Sequence, residues 1–114
     1  MAITIAPQPG RVRVRFNGLV VADSSRALAL REGSYPTVLY IPRADADMTL
    51  LHRSARTSHC PHKGDANYFG LQVDGRVSAD AAWTYEAPKP EVADIAGHLA
   101  FYPDRVDAIE ELDG

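Results

Sequence analysis

The densest run of chemically capable side chains in the 114-residue sequence is His59-Cys60-Pro61-His62-Lys63-Gly64. The thiolate, not the thiol, is the nucleophile, and nearby Lys, Arg or His promotes its formation. Cys60 has His59, His62 and Lys63 as sequence neighbours. If chemistry occurs here, Cys60 or Lys63 is the nucleophile and His62 the proton carrier. The plain alternative is that Cys60 is a small buried hydrophobe before a proline turn, as free cysteines commonly are. Lys63 also suits an anion, with Gly64 letting backbone come close, although the glycine pattern of a phosphate loop is missing. Zinc is not expected. A structural zinc site takes four ligands in spaced pairs, whereas this chain has one cysteine, directly adjacent to His59. The pattern names no cofactor.

Two further clusters supply binding groups. Tyr40-Ile41-Pro42-Arg43 reads as a strand end followed by a cation, and Trp83-Thr84-Tyr85 places Trp83 and Tyr85 on one strand face. Both aromatics join an apolar body to a polar tip, so they suit a pocket floor as well as a core. The candidate ligand-binding residues are therefore Tyr40, Arg43, Lys63, Trp83 and Tyr85. Arg43 and Lys63 would hold a small anionic or nucleotide-like molecule while the rings stack on its flat part. The plain alternative for Arg43 is a surface ion pair with Asp45 or Asp47. The serines show no nucleophile-elbow pattern, and no carboxylate pair stands out for acid–base work.

These groups need a scaffold, and the patterning supplies one. Arg11, Arg13 and Arg15 alternate with Val12, Val14 and Phe16, which is the period of a half-buried strand. Asn17-Gly18 then turns the chain into a second strand at 19–23. Further strands are predicted at 26–31, from Tyr35 to Ile41, at 49–51, at 65–73, at 76–85 across the Asp74-Gly75 turn, and at 97–102. Residues 1–10 read as an extended arm or edge strand, and 91–96 as one helical turn. The three-residue spacing of Val106, Ile109 and Leu112 suggests a short helix in the tail. Residues 52–64 show no apolar period and read as an irregular loop, the place where function often sits on a β scaffold. Many short strands divided by turns indicate an all-β domain with one or two short helical turns, either a compact sandwich or a partly open barrel of antiparallel strands. The expected organisation is one domain over 1–114, with the core at about 11–106 and an acidic tail at 107–114. Its core should draw on Val12, Val14, Phe16, Leu28, Leu30, Val38, Ile41, Phe69, Leu71, Trp83 and Phe101.

Composition bounds the function. The chain is 46% hydrophobic and 24% charged, as a folded globule is. No apolar run reaches the roughly 20 residues of a membrane helix. Residues 1–10 lack the basic start and apolar stretch of a secretion signal. One cysteine allows no internal disulfide, which points to the reducing cytoplasm. Residues 1–64 hold nine basic groups against four acids, and 65–114 three against eleven. The acidic tail, Asp104 to Asp113, is expected to cancel part of the basic half in space. A pI near 5.7 without a dense basic cluster argues against general nucleic-acid binding.

Taken in order, Tyr40-Ile41-Pro42-Arg43, Cys60-Pro61-His62-Lys63-Gly64 with Ala66 and Tyr68, Ala82-Trp83 with Tyr85 and Pro88, and Ala100-Phe101-Tyr102 resemble the domain of unknown function 427 family. The resemblance runs from about Val12 to Val106. Members commonly carry tyrosine where this chain has His62, so a ring is kept but the phenol is lost. The resemblance implies a compact β-rich fold similar to the Mss4-like arrangement, one domain per copy. The family is sometimes labelled a nucleotidyltransferase, which would imply a nucleotide substrate and a divalent metal. The Gly-Ser and paired-Asp pattern of well-known nucleotidyltransferases is missing from this sequence.

Two classes of function follow. In the first, Tyr40, Arg43, Cys60, His62, Lys63, Trp83 and Tyr85 converge on one concavity, a binding or catalytic pocket for a small anionic or nucleotide-like molecule. In the second, the same residues set turns and core in a non-catalytic interaction module, which meets a partner through a strand edge or the acidic tail. Self-association is compatible with either. A sequence-reading nucleic-acid binder would require the arginines to form one continuous stripe.

Overall fold

A computed structural model describes residues 2–113. Met1 of the arm and Gly114 of the tail lie outside the described residues. The strands are β1 (Ile3–Pro7), β2 (Arg11–Phe16), β3 (Leu19–Ser24), β4 (Leu28–Glu32), β5 (Val38–Tyr40), β6 (Leu51–Cys60), β7 (Gly64–Val73), β8 (Arg76–Thr84), β9 (Leu99–Phe101) and β10 (Ala108–Leu112). Short 3₁₀ turns occupy Arg43–Asp45, Met48–Leu50, Pro90–Ile95 and Pro103–Arg105. The fold is all-β, as the alternation predicts.

The small sheet runs β10-β2-β3. Asn17 and Gly18 have φ values of 49° and 81°, the paired positive angles that a tight hairpin turn demands. Val12, Val14 and Phe16 point inward and are buried, while the arginines between them are half-buried. Arg11 and Arg13 pair with Asp23 on β3, and Arg15 reaches Glu110 of β10 at 2.7 Å. The acidic tail thus lies against the arginine-rich strand.

The large layer joins two sheets, β1-β4-β5 and β6-β7-β8-β9. They meet at Ile41 and Leu99, which exchange two backbone hydrogen bonds of 2.7 Å. Alternation along this layer separates two cores. Ile41, Phe69, Leu71, Ala82, Leu99 and Phe101 pack with Val12, Val14 and Phe16. On the opposite face, Leu30, Tyr40, Tyr68, Tyr85 and Ala100 pack with Val92 and Ile95 from the Pro90–Ile95 turn. Of the predicted core, Leu28, Val38 and Trp83 are partly buried and pack around this second cluster. The layer curls until side chains span its two ends. Lys63 of the β6–β7 turn donates to Glu32 of β4, and Ile3 of β1 lines one depression with Pro61 and His62.

Three sequence expectations need correction. The irregular loop at 52–64 is instead most of strand β6, with only residues 61–63 forming the turn to β7. Its pattern is hidden because β6 is an edge strand. It has a register irregularity between Arg53 and Thr57, and Leu51 is its one fully buried residue. Of the short strand expected at 49–51, residues 49 and 50 belong to the 3₁₀ turn Met48–Leu50, capped by the Asp47 side chain accepting from the Thr49 amide at 3.1 Å, and Leu51 opens β6. The tail helix is replaced by β10, which pairs antiparallel with β2.

Candidate functional site

The second face of the large layer is not fully covered. A hollow of about 560 Å³ opens there, walled by Leu30 and Glu32 from β4, Val38 and Tyr40 from β5, Tyr68 from β7 and Trp83 from β8, among others. The chain has five tyrosines and one tryptophan, and all six line this hollow: Tyr35, Tyr40, Tyr68, Tyr85, Tyr102 and Trp83. Period-two alternation brings them in. Trp83 lies across from Tyr68 on one side and Ala100 on the other, so Tyr85 and Tyr102 fall on the same face.

Trp83 is the centre of the aromatic wall. Its ring stands edge-on to Tyr40, with centroids 6.4 Å apart, and lies 4.5 Å from that of Tyr102. The indole Nε1 donates to the Tyr40 hydroxyl at 3.4 Å. Burial pushes the Tyr40 phenol up to about 12, although the indole bond works the other way. Burial is also the main cause that raises the Tyr85 phenol, and for Tyr102 it acts together with neighbouring Tyr68.

The polar end is Glu32, Lys63 and Cys60. Lys63 Nζ donates to Glu32 Oε1 at 2.8 Å, and both side chains are nearly buried. The same ammonium sits 3.5 Å from Cys60 Sγ. Burial alone would lower the Lys63 pKa, but the Glu32 hydrogen bond and negative charge at Cys60 and Glu32 outweigh it, and the net shift is upward. Lys63 is therefore an ammonium at neutral pH. Held by Glu32, it can stabilise negative charge on the neighbouring Cys60 sulfur, and the raised pKa runs against its use as a free amine nucleophile. Gly64 follows with φ 113°, a backbone angle that side chains rarely adopt, while the Lys63 carbonyl accepts from the Lys89 amide at 2.9 Å.

Of the residues picked from the sequence, Tyr40, Cys60, His62, Lys63, Trp83 and Tyr85 line the hollow together. Arg43 does not. It follows Pro42 into a 3₁₀ turn, stacks 5.4 Å from the Phe69 ring centroid on the first-core side, and shares Glu86 with Arg53. Its predicted partners Asp45 and Asp47 are engaged elsewhere, Asp45 with Arg26 and Asp47 with Thr49. His59 is also outside, paired with Asp65 at 2.7 Å on an exposed surface. Sequence reasoning missed Glu32, Tyr35, Tyr68 and Tyr102. Two of them were detectable: Tyr68-Phe69 and Phe101-Tyr102 each put a phenyl on one face and a phenol on the other, as Tyr40-Ile41 puts an aliphatic and a phenol. Among the described residues, no group of three or more His, Cys, Asp or Glu side chains could hold a metal ion.

The family model described as Domain of unknown function (DUF427) matches residues 4–112. The chain belongs to the DUF427 family. No curated protein matches it. In this DUF427 protein the matched span takes in every strand except the first residue of β1, and with it both the aromatic wall and the Lys63–Glu32 pair. Among the described residues, no helix is long and apolar enough to cross a membrane.

Proposed function

We propose that this protein binds a small molecule with a flat ring in the aromatic hollow. The observation that carries the reading is that all five tyrosines and the one tryptophan line the wall of one cavity. Small-molecule sites are concave, mostly apolar, and carry a few placed polar groups. Here those groups are the Lys63–Glu32 pair, Cys60 and His62. The interaction-module reading has less support. The free edge of β6 is broken by the irregularity after Arg53 and carries Arg53 and Arg56, devices that discourage edge pairing.

The protein carries its own reporter, because Trp83 is the one indole and stands in the wall. A panel of flat heteroaromatic compounds, nucleotides included, is titrated while tryptophan emission is followed. Saturable quenching is expected for a subset, weakened by Tyr102→Ala, which removes the ring 4.5 Å from Trp83. Compounds that raise Tm without touching Trp83 emission, and bind Tyr102→Ala equally well, would place binding elsewhere and sink the reading.

A further inference from the structure

The walls of the hollow carry two opposite charges, Lys63 and Glu32, and these neutralise each other at 2.8 Å. Arg43 and Arg53 are bound to Glu86 and stack on Phe69, on the other face of the layer. None of these cations is free to meet a charge on a ligand. Two others are differently placed. Arg56 lies over the Tyr68 ring with Cζ 4.3 Å from its centroid, and Arg105 lies over the Tyr102 ring at 4.7 Å. Both rings line the hollow, and the two arginines stand behind them, outside the lining itself.

The two guanidinium groups also come to one place. Arg105 Nη1 donates to the Asp80 carbonyl at 3.0 Å, and Arg56 Nη1 is 4.0 Å from the Asp80 carboxylate. That carboxylate contact is long, and the Arg56 side chain is 45% exposed, so the pair holds Arg56 weakly. An arginine stacked flat on an aromatic face keeps its N–H edges for a planar or tetrahedral anion.

We infer that Arg56 and Arg105 form the anion-binding end of the hollow, and that its ligand is a flat ring bearing one phosphate or carboxylate group. The inference rests on the reading of the hollow as a ligand site and adds where the charge goes. The ring lies against Trp83 and Tyr102, and its anion reaches past Tyr68 and Tyr102 to the two guanidinium groups. Lys63 stays with Glu32 and Cys60 at the polar end. Arg56 and Arg105 are thus specificity residues that select anionic over neutral ring compounds.

The test uses the full chain and three probes of one ring size: naphthyl phosphate, naphthoate and the neutral naphthylmethanol. Binding is read from Trp83 emission. The wild type should bind at least one of the two anions about tenfold or more tighter than the alcohol, with an affinity that falls as salt rises. The better anion tells phosphate from carboxylate. Arg56→Gln, at a half-exposed position that folding tolerates, should cut the anion affinity several-fold and leave the alcohol unchanged. Arg105→Lys should give a smaller loss, because it keeps the charge but not the fork. The double variant Arg56→Gln/Arg105→Gln should erase the preference, whereas Arg53→Gln on the same strand should retain it. An anion preference that survives the double variant overturns the inference and leaves the hollow reading standing. Failure of all three probes to move Trp83 emission removes both.

Discussion

Lys63 and Glu32 lie 31 residues apart and are joined only because the large layer curls its ends together. Breaking that clasp should have a measurable cost. At 2.8 Å and an effective dielectric constant of about 20, the attraction is about 6 kcal/mol. Taking both ions out of water offsets much of that, so replacing the pair by apolar groups of similar size is close to neutral. Removing one partner is different, because the other charge remains in a site where side chains are only 13–14% exposed. Loss of one member of a buried pair costs about 3–5 kcal/mol, and some residual exposure favours the lower end, about 3 kcal/mol. For 114 residues the unfolding entropy at the midpoint is about 0.24 kcal/mol per degree, so Tm should fall by about 12 °C. Urea unfolding of Lys63→Met, Glu32→Leu and the double variant gives the cycle. The two single variants should each lose about 3 kcal/mol, while the double loses far less than their sum. The pH dependence carries a sign as well. The Lys63 pKa is raised in the fold, so its contribution is complete below the unfolded value of about 10.4 and is lost as pH climbs through the higher folded value. The stability difference between wild type and Lys63→Met should shrink above about pH 10.5, and using a difference removes the phenols that ionise in the same range. Additive single-variant losses, or a single loss under about 1 kcal/mol, would show that the ends of the layer are held by something else.

Two more outcomes follow from the packing. The Tyr40 phenol, pushed up to about 12 by burial against about 10 in the unfolded chain, gives stability that is whole below pH 10 and fades between about 10 and 12, on the order of 2–3 kcal/mol. A phenolate absorbance titration of wild type minus Tyr40→Phe should have its midpoint near pH 12, and a midpoint near 10 would contradict the burial argument. Thr84 is fully buried and its Oγ1 has no hydrogen-bond partner, so Thr84→Val removes an unsatisfied group. It should raise stability by about 1 kcal/mol, seen as a higher urea midpoint at unchanged slope, whereas an equal loss would reveal that the hydroxyl has a partner.

How much of this was legible in the sequence depends on how local the signal is. The Asn17-Gly18 and Asp74-Gly75 hairpins are written in four residues, because each turn requires positive φ and those residue types accept it. Alternation alone puts Trp83 and Tyr85 on one face, and both line the hollow, but it leaves open which of Tyr40 and Ile41 turns toward it. Strand β6 was not legible, because alternation shows only where one face meets a core. Here one face meets water, and the other presents Arg56, Ser58 and Cys60 to the hollow side, with Ser58 hydrogen-bonded to the Tyr68 hydroxyl at 2.9 Å. Strand β10 misled for a related reason. Val106 is buried in the first core, while Ile109 and Leu112 are only half-buried edge residues, so their spacing of three is accidental. Arg43 failed because a strand's alternation stops at Pro42, where the chain turns toward Phe69. The Lys63–Glu32 pair is a property of sheet curl and has no local signature at all.

The sorting of ring types across the large layer argues that the hollow is not a packing defect. Phe16, Phe69 and Phe101, the three phenylalanines of the chain, are buried in the first core on one face, where a second cavity of about 460 Å³ is lined mainly by aliphatic side chains with Phe101 and Trp83 and by no tyrosine, whereas every tyrosine lines the hollow on the other. A phenyl gains from complete burial and has no polar atom to satisfy. A phenol buried without a partner is penalised, so its hydroxyl has to find water or a hydrogen bond. A core that merely lacked filler would show no preference between the two rings. Tyr40 meets the requirement through the Trp83 indole and Tyr68 through Ser58, while Tyr35 is largely exposed at the rim. The hydroxyls therefore define a face that tolerates water when empty and offers donors and acceptors when filled. That is the physical property a reversible binding site needs and a structural core does not.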